Sequence, residues 1–191
     1  MPRAPAAAVA LALAFACVRA PVPGPAGAPP PASPPVRFRA EDVPAQLHPA
    51  LVRVEAAEKA LRDQLAARMA SELAAGGVVR ALSVCQRDAP AFAAAVSAQT
   101  GVEVGRVAAR PRHGAPPRAW MAPLLEELAT RRAADVHAVV LDLGDRLALL
   151  RPIAVGAACL ACHGSPDRVL PEVKIASDGG PTAYAEGDLR G

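Results

Sequence analysis

The chain has 191 residues, a formal net charge of +3 at pH 7 and hydrophobic residues at 52% of its positions. Because the charge is small and no basic tract concentrates it, the sequence argues against nucleic acid as a partner. Aromatic residues make up only 3% of the chain and alanine dominates the apolar content, so the side chains alone predict a core of little bulk.

The N-terminus has the pattern of a secretory signal peptide, which we assign to residues 1–16. A short basic start precedes the apolar run Ala6–Ala16, and Ala14-Phe15-Ala16 has the small-x-small form of a cleavage site. The apolar run is shorter than the ~20 residues that span a bilayer. We therefore expect an exported, periplasmic protein, with a tail anchor or a disordered alanine-rich leader as the alternatives.

Residues 17–36 are predicted to be a linker. The segment from Pro21 to Pro35 is so rich in proline that neither helix nor sheet can form, and extended polyproline II is favoured. Cys17 directly follows the predicted cleavage point and is a candidate for lipidation, which would attach the protein to a membrane. Plain secretion is the alternative, because Phe15 is bulky for a lipoprotein signal.

The predicted folded domain, residues 37–191, opens with helices. Apolar residues recur there mostly at steps of three and four: Leu51, Val54, Ala57, Leu61, Leu65 and Leu73. This periodicity predicts an amphipathic helix of about 25 residues that ends at Gly76-Gly77. A second helix is predicted from Val78 to about Gln99, with a break or kink at Pro90 and an end at Gly101.

The next part of the domain is predicted to contain strands and a third helix. Val102–Ala108 alternates valine with polar or small residues and predicts a strand. Trp120–Arg132 predicts a helix with one apolar side. Val136–Leu143 and Arg146–Val155 predict two strands joined by a hairpin turn at Gly144-Asp145. The predicted fold class is α+β, with helices first and an antiparallel sheet after them.

Cys159, Cys162 and His163 spell C-L-A-C-H, which has the spacing of covalent haem attachment. Two thiols three positions apart can add to the two vinyl groups of one haem, and the histidine that follows then ligates the iron. A zinc site would need a second ligand pair of similar spacing, and a thioredoxin-like pair belongs near a βαβ pattern. The sequence shows neither, so we predict one covalent haem c. Residues 164–191 are rich in Gly, Pro and Asp and are expected to form a loop.

Cys85 is left over if Cys159 and Cys162 bind haem and Cys17 lies outside the folded domain. An unpaired thiol is unusual in an oxidising compartment. Cys85 is therefore either a buried residue that packs as a small apolar group or the second axial ligand of the iron. The rival ligands are other side chains with a suitable nitrogen or sulfur atom: His48, Met69, His113, Met121 and His137.

Short motifs follow one another in a fixed order along the domain. In its first half they are Ala81-Leu82-Ser83-Val84-Cys85, Ala89-Pro90 and Val104-Gly105-Arg106. In its second half they are Arg151-Pro152-Ile153, the run Cys159 to Gly164, and the run Gly187 to Gly191. In order and spacing, these motifs resemble a family of haem domains that occur as small soluble c-type cytochromes in cyanobacteria and as exported sensor regions of bacterial signalling proteins. The resemblance extends from about Leu51 to the end of the chain.

The resemblance implies a PAS-like fold, with an antiparallel sheet and N-terminal helices, that carries one covalent haem c. It implies that the haem is attached to Cys159 and Cys162. It further implies that His163 is one axial ligand of the iron and that Cys85, as a thiolate, is the other.

The loop of the family pattern differs in this chain. Val107-Ala108 stand where the family usually has Thr-Ser, and the segment Arg112 to Pro117 replaces a polar loop of Asn and Pro residues. Arg106 and Arg112 flank this region and are our candidates to pair with the haem propionates, because the arginine fork matches a carboxylate. Arg110 and Arg151 are further candidates, and solvated surface charges are the alternative.

No catalytic constellation is visible in the sequence, whether a Ser-His-Asp order, a carboxylate pair on one helix face or a phosphate loop. We therefore expect a non-enzymatic, exported single-haem c-type protein that acts in redox or gas sensing or in electron transfer. Its expected partner is a redox protein or a diatomic gas. The alternative is a haem enzyme that acts on peroxide or a nitrogen oxide.

Overall fold

A computed structural model of the chain describes residues 35–108, 117–176 and 183–190. Its helices are α1 (His48–Ser83), α2 (Ala89–Thr100), α3 (Ala122–Ala129), α4 (Leu160–His163) and α5 (Pro171–Ala176), and its strands are β1 (Val36–Phe38), β2 (Val139–Asp142) and β3 (Leu147–Leu150). A π-helical turn, Val84–Asp88, joins α1 to α2. The predicted α+β class is confirmed, whereas the PAS-like character of the sheet stays a prediction.

Helix α1 is interrupted where the sequence predicts an end. Gly76 and Gly77 have non-helical backbone angles, and the helix resumes at Val78 and continues to Ser83. Gly77 lies at φ 69° and ψ −161°, a region that is essentially restricted to glycine. The break therefore depends on the absence of a side chain at residue 77. It divides α1 into two limbs, one before Gly76 and one from Val78 to Ser83, and changes the direction of the chain between them.

The predicted kink before Pro90 takes the form of the π-helical turn. Pro90 has no backbone N–H, and in a regular helix its ring would collide with the carbonyl of Gln86. One extra residue in the turn relieves this conflict, and the N–H of Ala89 donates to the carbonyl of Val84, five residues back. As predicted, helix α2 then ends at Gly101. The N–H of Gly101 donates to the carbonyl of Ser97 at 3.0 Å.

The strand predicted over Val102–Ala108 is wrong, because these residues form no ladder. The chain runs along α2 instead, and the N–H of Val104 donates to Ser97 Oγ at 3.0 Å. Val102 and Val104 pack against the apolar cluster that contains the buried Val96 of α2. The alternation of valine with polar residues therefore reflects contact with a helix rather than pairing with a strand.

The sheet is antiparallel and its strands lie in the order β1-β2-β3. The predicted hairpin is confirmed, since Asp142 pairs with Leu147 around the turn, although both strands are shorter than predicted. Strand β1 pairs with the other side of β2, with Val36 opposite Asp142. Strand β1 was not predicted, because three residues beside a proline-rich linker are too few to show an alternation of apolar and polar residues.

Helices cover both faces of the sheet. Successive residues of a strand point to opposite faces, and β2 shows this directly. Val140 is fully buried and packs with Leu51 of α1. Leu141 is also buried and packs with Leu124 and Leu128 of α3. The core is thus two apolar layers on either side of one short sheet.

Helix α1 also packs against α2. Further along, its Ala57 and Leu61 pack with Val96 of α2 in a third apolar cluster.

The predicted helix over Trp120–Arg132 is confirmed in shorter form as α3. Within the described ranges, no helix combines the length and the apolar content that crossing a bilayer requires.

The C-terminal segment is more ordered than the predicted loop. Helix α5 forms within it, and Val173 of that helix is fully buried. Two isolated bridges, Arg132 with Asp188 and Ala154 with Leu189, attach the last described residues to the sheet side of the domain. The prediction failed because Gly and Pro dominate the composition here, whereas buried valines decide the structure.

Candidate functional site

The C-L-A-C-H motif lies on one continuous helical turn. A 3₁₀ turn, Ala157–Cys159, leads directly into α4, which ends at His163. Cys159 and Cys162 are three residues apart and therefore share one side of this turn. Cys159 is exposed and Cys162 is half-buried. No disulfide joins Cys85, Cys159 and Cys162.

Gly164 ends this turn because no side chain fits there. Its N–H donates to the carbonyl of Leu160 at 2.9 Å. A Cβ atom at residue 164 would lie 2.5 Å from that same carbonyl oxygen, which is closer than real Cβ contacts allow. The glycine therefore lets the chain fold tightly over Leu160 and turn away immediately after His163.

The C-terminal segment supplies the neighbours of His163. The ring of Tyr184 is edge-on to the His163 ring, with 6.3 Å between centroids. The N–H of Tyr184 donates to the carbonyl of His163 at 2.9 Å. The guanidinium of Arg190 lies 5.6 Å from the centroid of the Tyr184 ring, within the range of a cation–π contact. The backbone and the ring of His163 are thus both held from the same segment.

Neither Tyr184 nor Arg190 was predicted from the sequence to belong to the site. Arg190 lies within the Gly187 to Gly191 run that was used only as a family motif. Tyr184 is the single tyrosine of the chain, and its position a few residues before that run was the available signal. Its contact with His163 joins residues that are distant in sequence, so the spacing of residues could not reveal it.

Cys85 lies in the π-helical turn. Its neighbour Val84 is 1% exposed, whereas Cys85 itself is half-buried. A π turn rotates the side chains within it relative to a regular helix, and such turns are frequent at functional sites. The turn therefore gives the Cys85 side chain a direction that differs from the one it would have in a regular helix.

A charged turn follows the motif. Asp167 is exposed, and a hydrogen bond from the Ser165 hydroxyl holds the pKa of its carboxyl below the usual 3.8. A backbone hydrogen bond and the nearby charges of Arg168 and Lys174 lower this pKa further. Asp167 therefore carries a negative charge across the neutral and mildly acidic range, four residues after the His163 end of α4.

The remaining candidate residues are dispersed. Arg106 is exposed. Arg151 is exposed as well, and its Nε donates to Glu58 Oε2 at 3.1 Å. Arg110 and Arg112 lie outside the described residues, so the predicted propionate contacts stay predictions.

The rival iron ligands occupy different environments. His48 shares a 2.8 Å hydrogen bond between its ring Nε2 and the carbonyl of Val43. His137 is exposed, and Met69 and Met121 are half-buried. His113 lies outside the described residues. Within the described ranges, no three His, Cys, Asp or Glu side chains form a cluster that could hold a metal ion.

Comparison with protein families gives a match over most of the chain. Residues 41–191 match the family described as Tll0287-like. This chain belongs to the Tll0287-like family. The matched range contains the π-helical turn, the C-L-A-C-H motif and the segment that covers His163. The resemblance inferred from the short motifs is therefore confirmed.

A solved structure supports the fold of this family member. The chain is similar to the crystal structure of the cyanobacterial heme-protein Tll0287, with a TM-score of 0.53 and 21% sequence identity. The match covers 78% of this chain and 92% of the cyanobacterial chain. Comparison with curated protein sequences finds no significant match.

Proposed function

We propose that the chain is an exported single-haem c-type protein, with the haem bound through Cys159 and Cys162 and ligated by His163. The observation that carries the proposal is the placement of these three residues on a single helical turn, in a member of a family whose solved relative is a heme-protein. Covalent attachment and a single copy of the haem are parts of this proposal.

The residues around the motif fit a haem. Thioether bonds need two reduced thiols at one edge of the porphyrin, and no disulfide joins Cys159 to Cys162. They also need space beside α4, and the exposure of Cys159 provides it. The aromatic ring of Tyr184 beside His163 adds an apolar wall next to the proposed ligand. When bound, the haem supplies an iron centre that takes up or releases one electron.

We propose Cys85, as a thiolate, as the second axial ligand. It lies half-buried in a π turn, and no disulfide involves it. A thiolate donates electron density and stabilises the ferric state. If His163 and Cys85 both held the iron, they would leave it no free position for a substrate. This favours redox sensing, gas sensing after loss of one ligand, or electron transfer over catalysis on peroxide or a nitrogen oxide.

The surroundings of the motif favour a protein partner or a small gas. Cys159 faces solvent, so a group attached to it would lie near the surface, where a redox partner protein can exchange electrons with it. The charged turn at Asp167 follows the motif in the chain and is exposed, so it offers a charged contact to such a partner. We further propose a periplasmic location from the signal peptide pattern, with Cys17 as the candidate site of lipid attachment. For residues 37–191 we propose a PAS-like fold.

Expression with and without haem attachment tests this proposal. The full chain is produced in a bacterial strain that is competent for cytochrome c maturation, and its mass is measured together with haem-stained gels. We expect one haem per chain in the wild type, and none that survives denaturation in the Cys159→Ser/Cys162→Ser variant. The matched control, Cys85→Ser, should keep its covalent haem. An unmodified wild-type mass would refute covalent attachment.

A further inference from the structure

Glu72 is the charged residue that is buried in the described part of the chain, with 4% of its surface exposed. Arg68 contacts its Oε1 through Nη1 at 2.9 Å. On the other side, the Nε of Arg80 donates to its Oε2. A buried carboxylate needs such partners, because burial of an uncompensated charge is strongly unfavourable.

Arg68 also contacts the π turn that holds Cys85. The Nε of Arg68 donates to Asp88 Oδ2 at 2.8 Å, and Asp88 is the last residue of the π turn. We call Arg68, Glu72, Arg80 and Asp88 the Glu72 cluster. Its two arginines and two carboxylates balance in charge, and they join the two limbs of α1 to the π turn.

Only the break in α1 makes these contacts possible. In an uninterrupted helix, Glu72 and Arg80 would lie about 12 Å apart along the axis, and Arg68 and Asp88 would lie about 30 Å apart. The conformation of Gly77 brings the second limb back alongside the first. The sequence distance is therefore closed by the fold, and the cluster joins segments that helix geometry alone would separate.

The π turn needs an external contact of this kind. It is a less regular turn than an α-helical one, and Pro90 withholds a hydrogen-bond donor beside it. At one end of the turn Val84 is anchored by burial. At the other end Asp88 is held by Arg68. Cys85 lies between these two anchors.

We propose that the Glu72 cluster is a positioning device that fixes the depth and direction of the Cys85 thiol. The inference rests on the proposed role of Cys85 as an iron ligand, since a ligand must be held at a set place. Arg68 is the central positioning residue, because its guanidinium contacts both the buried Glu72 and the π turn. Other ion pairs within α1, Lys59 with Asp63 and Glu58 with Arg62, lie nearer the start of the helix.

The test measures the thiol itself as well as the haem. Arg68→Ala is prepared as the full haem-loaded chain, and alkylation of Cys85 by iodoacetamide is followed by peptide mass mapping. We expect alkylation to become about tenfold faster, because the turn opens more often. The low-spin thiolate signal in the ferric electron paramagnetic resonance spectrum should weaken in parallel. The alkylation rate of Arg68→Lys should lie between those of the wild type and Arg68→Ala, since an ammonium cannot bridge two carboxylates as the arginine fork does.

Two further variants make the result specific. Lys59→Ala removes an exposed ion pair with Asp63 on the same helix and should alkylate at the wild-type rate. Asp88→Asn keeps the shape of the side chain and leaves both arginines on Glu72, so it reports on the turn even if Arg68→Ala does not fold. The proposal would be overturned if Arg68→Ala and Asp88→Asn were both alkylated at the wild-type rate. If Arg68→Ala does not fold, a wild-type rate in Asp88→Asn alone would overturn it.

The outcome also separates this inference from the proposed ligation. If the wild type lacks a thiolate signal, Cys85 is not the ligand, and the proposed ligation fails. The alkylation rates then still decide the positioning role: faster reaction in Asp88→Asn supports it, and an unchanged rate refutes it.

Discussion

The ring of Tyr184 is edge-on to the ring of His163, at 81° between the ring planes and 6.3 Å between centroids. The two residues also share a backbone hydrogen bond, from the N–H of Tyr184 to the carbonyl of His163. Edge-to-face contact is a favoured arrangement of aromatic pairs, because the positive edge of one ring meets the negative face of the other. Tyr184 therefore orients the residue that we propose as the first axial ligand.

Tyr184→Leu should lower stability and loosen the site. We expect a loss of about 1 kcal/mol of unfolding free energy, which is typical of an aromatic pair, together with a broader ferric electron paramagnetic resonance signal. Tyr184→Phe is the matched control, since it keeps the ring and removes only the hydroxyl, and it should resemble the wild type. Chemical denaturation measures both variants. Equal stability of Tyr184→Leu and the wild type would contradict an orienting role for the ring.

Removal of the haem should weaken the fold. The apolar content of the chain is largely alanine, so a bound porphyrin would provide much of the buried apolar area. We expect Cys159→Ser/Cys162→Ser to melt at a lower temperature with reduced cooperativity, and to be cleaved faster by protease. Cys85→Ser, which retains both attachment sites, is the comparison. A cooperative melt at the wild-type temperature would show that the protein folds independently of the haem.

Cys85→Ala should change the redox chemistry. Loss of a thiolate ligand removes negative charge from the ferric iron, so the midpoint potential should rise by tens of millivolts or more, within the range of about 0.8 V that axial ligands span. The ferric absorbance and electron paramagnetic resonance spectra should shift as well. His137→Ala is the control, because His137 is an exposed rival ligand, and it should alter neither property. Should the spectra change in His137→Ala instead, the histidine is the ligand.

Gly77→Ala should destabilise the protein. The residue has φ 69°, and a side chain in this region of backbone angles costs about 1–3 kcal/mol. Gly105→Ala is the matched control. Residue 105 lacks a positive φ, and a Cβ atom there would lie in open space. Its stability should be unchanged or higher by about 0.5 kcal/mol, because alanine restricts the unfolded chain. Denaturant titration of the two variants compares them directly, and equal effects would refute the role of the break.

The contact between Arg37 and Glu127 predicts a dependence on pH. The hydrogen bond from Arg37, and then its charge, lower the pKa of Glu127 below the usual 4.5. Because the folded pKa is depressed, the stabilising contribution is present above about pH 4.5 and is lost as the pH falls through the folded pKa. Arg37→Ala should therefore lower the melting temperature slightly at neutral pH, and the difference from the wild type should shrink in acid.

Arg39→Ala is the control for that experiment. Arg39 and Glu41 are both largely exposed and 3.7 Å apart, so this pair should contribute little at any pH. Melting temperatures measured by circular dichroism from about pH 7 to about pH 3 cover the transition. A difference between Arg37→Ala and the wild type that grows in acid would contradict the assignment to Glu127.

The sequence alone determined the features that depend on neighbours along the chain. The helical periodicity predicted α1, Gly144-Asp145 predicted the hairpin, and Pro90 predicted the kink that the structure shows as a π turn. The C-L-A-C-H motif belongs to this class too, because three residues within one turn are brought together by helix geometry itself. Family membership also followed from short motifs in order.

The tertiary structure decided what depends on distant segments. Val102–Ala108 had the alternation of a strand but no strand to pair with, so it packs along α2 instead. The contacts of His163 with Tyr184 and of Arg68 with Asp88 each join segments about 20 residues apart. Such contacts form only when the loops between them close and a shared core holds them in place. No local pattern records which partner a side chain then meets, and this is why the surroundings of both proposed iron ligands became visible only in the folded chain.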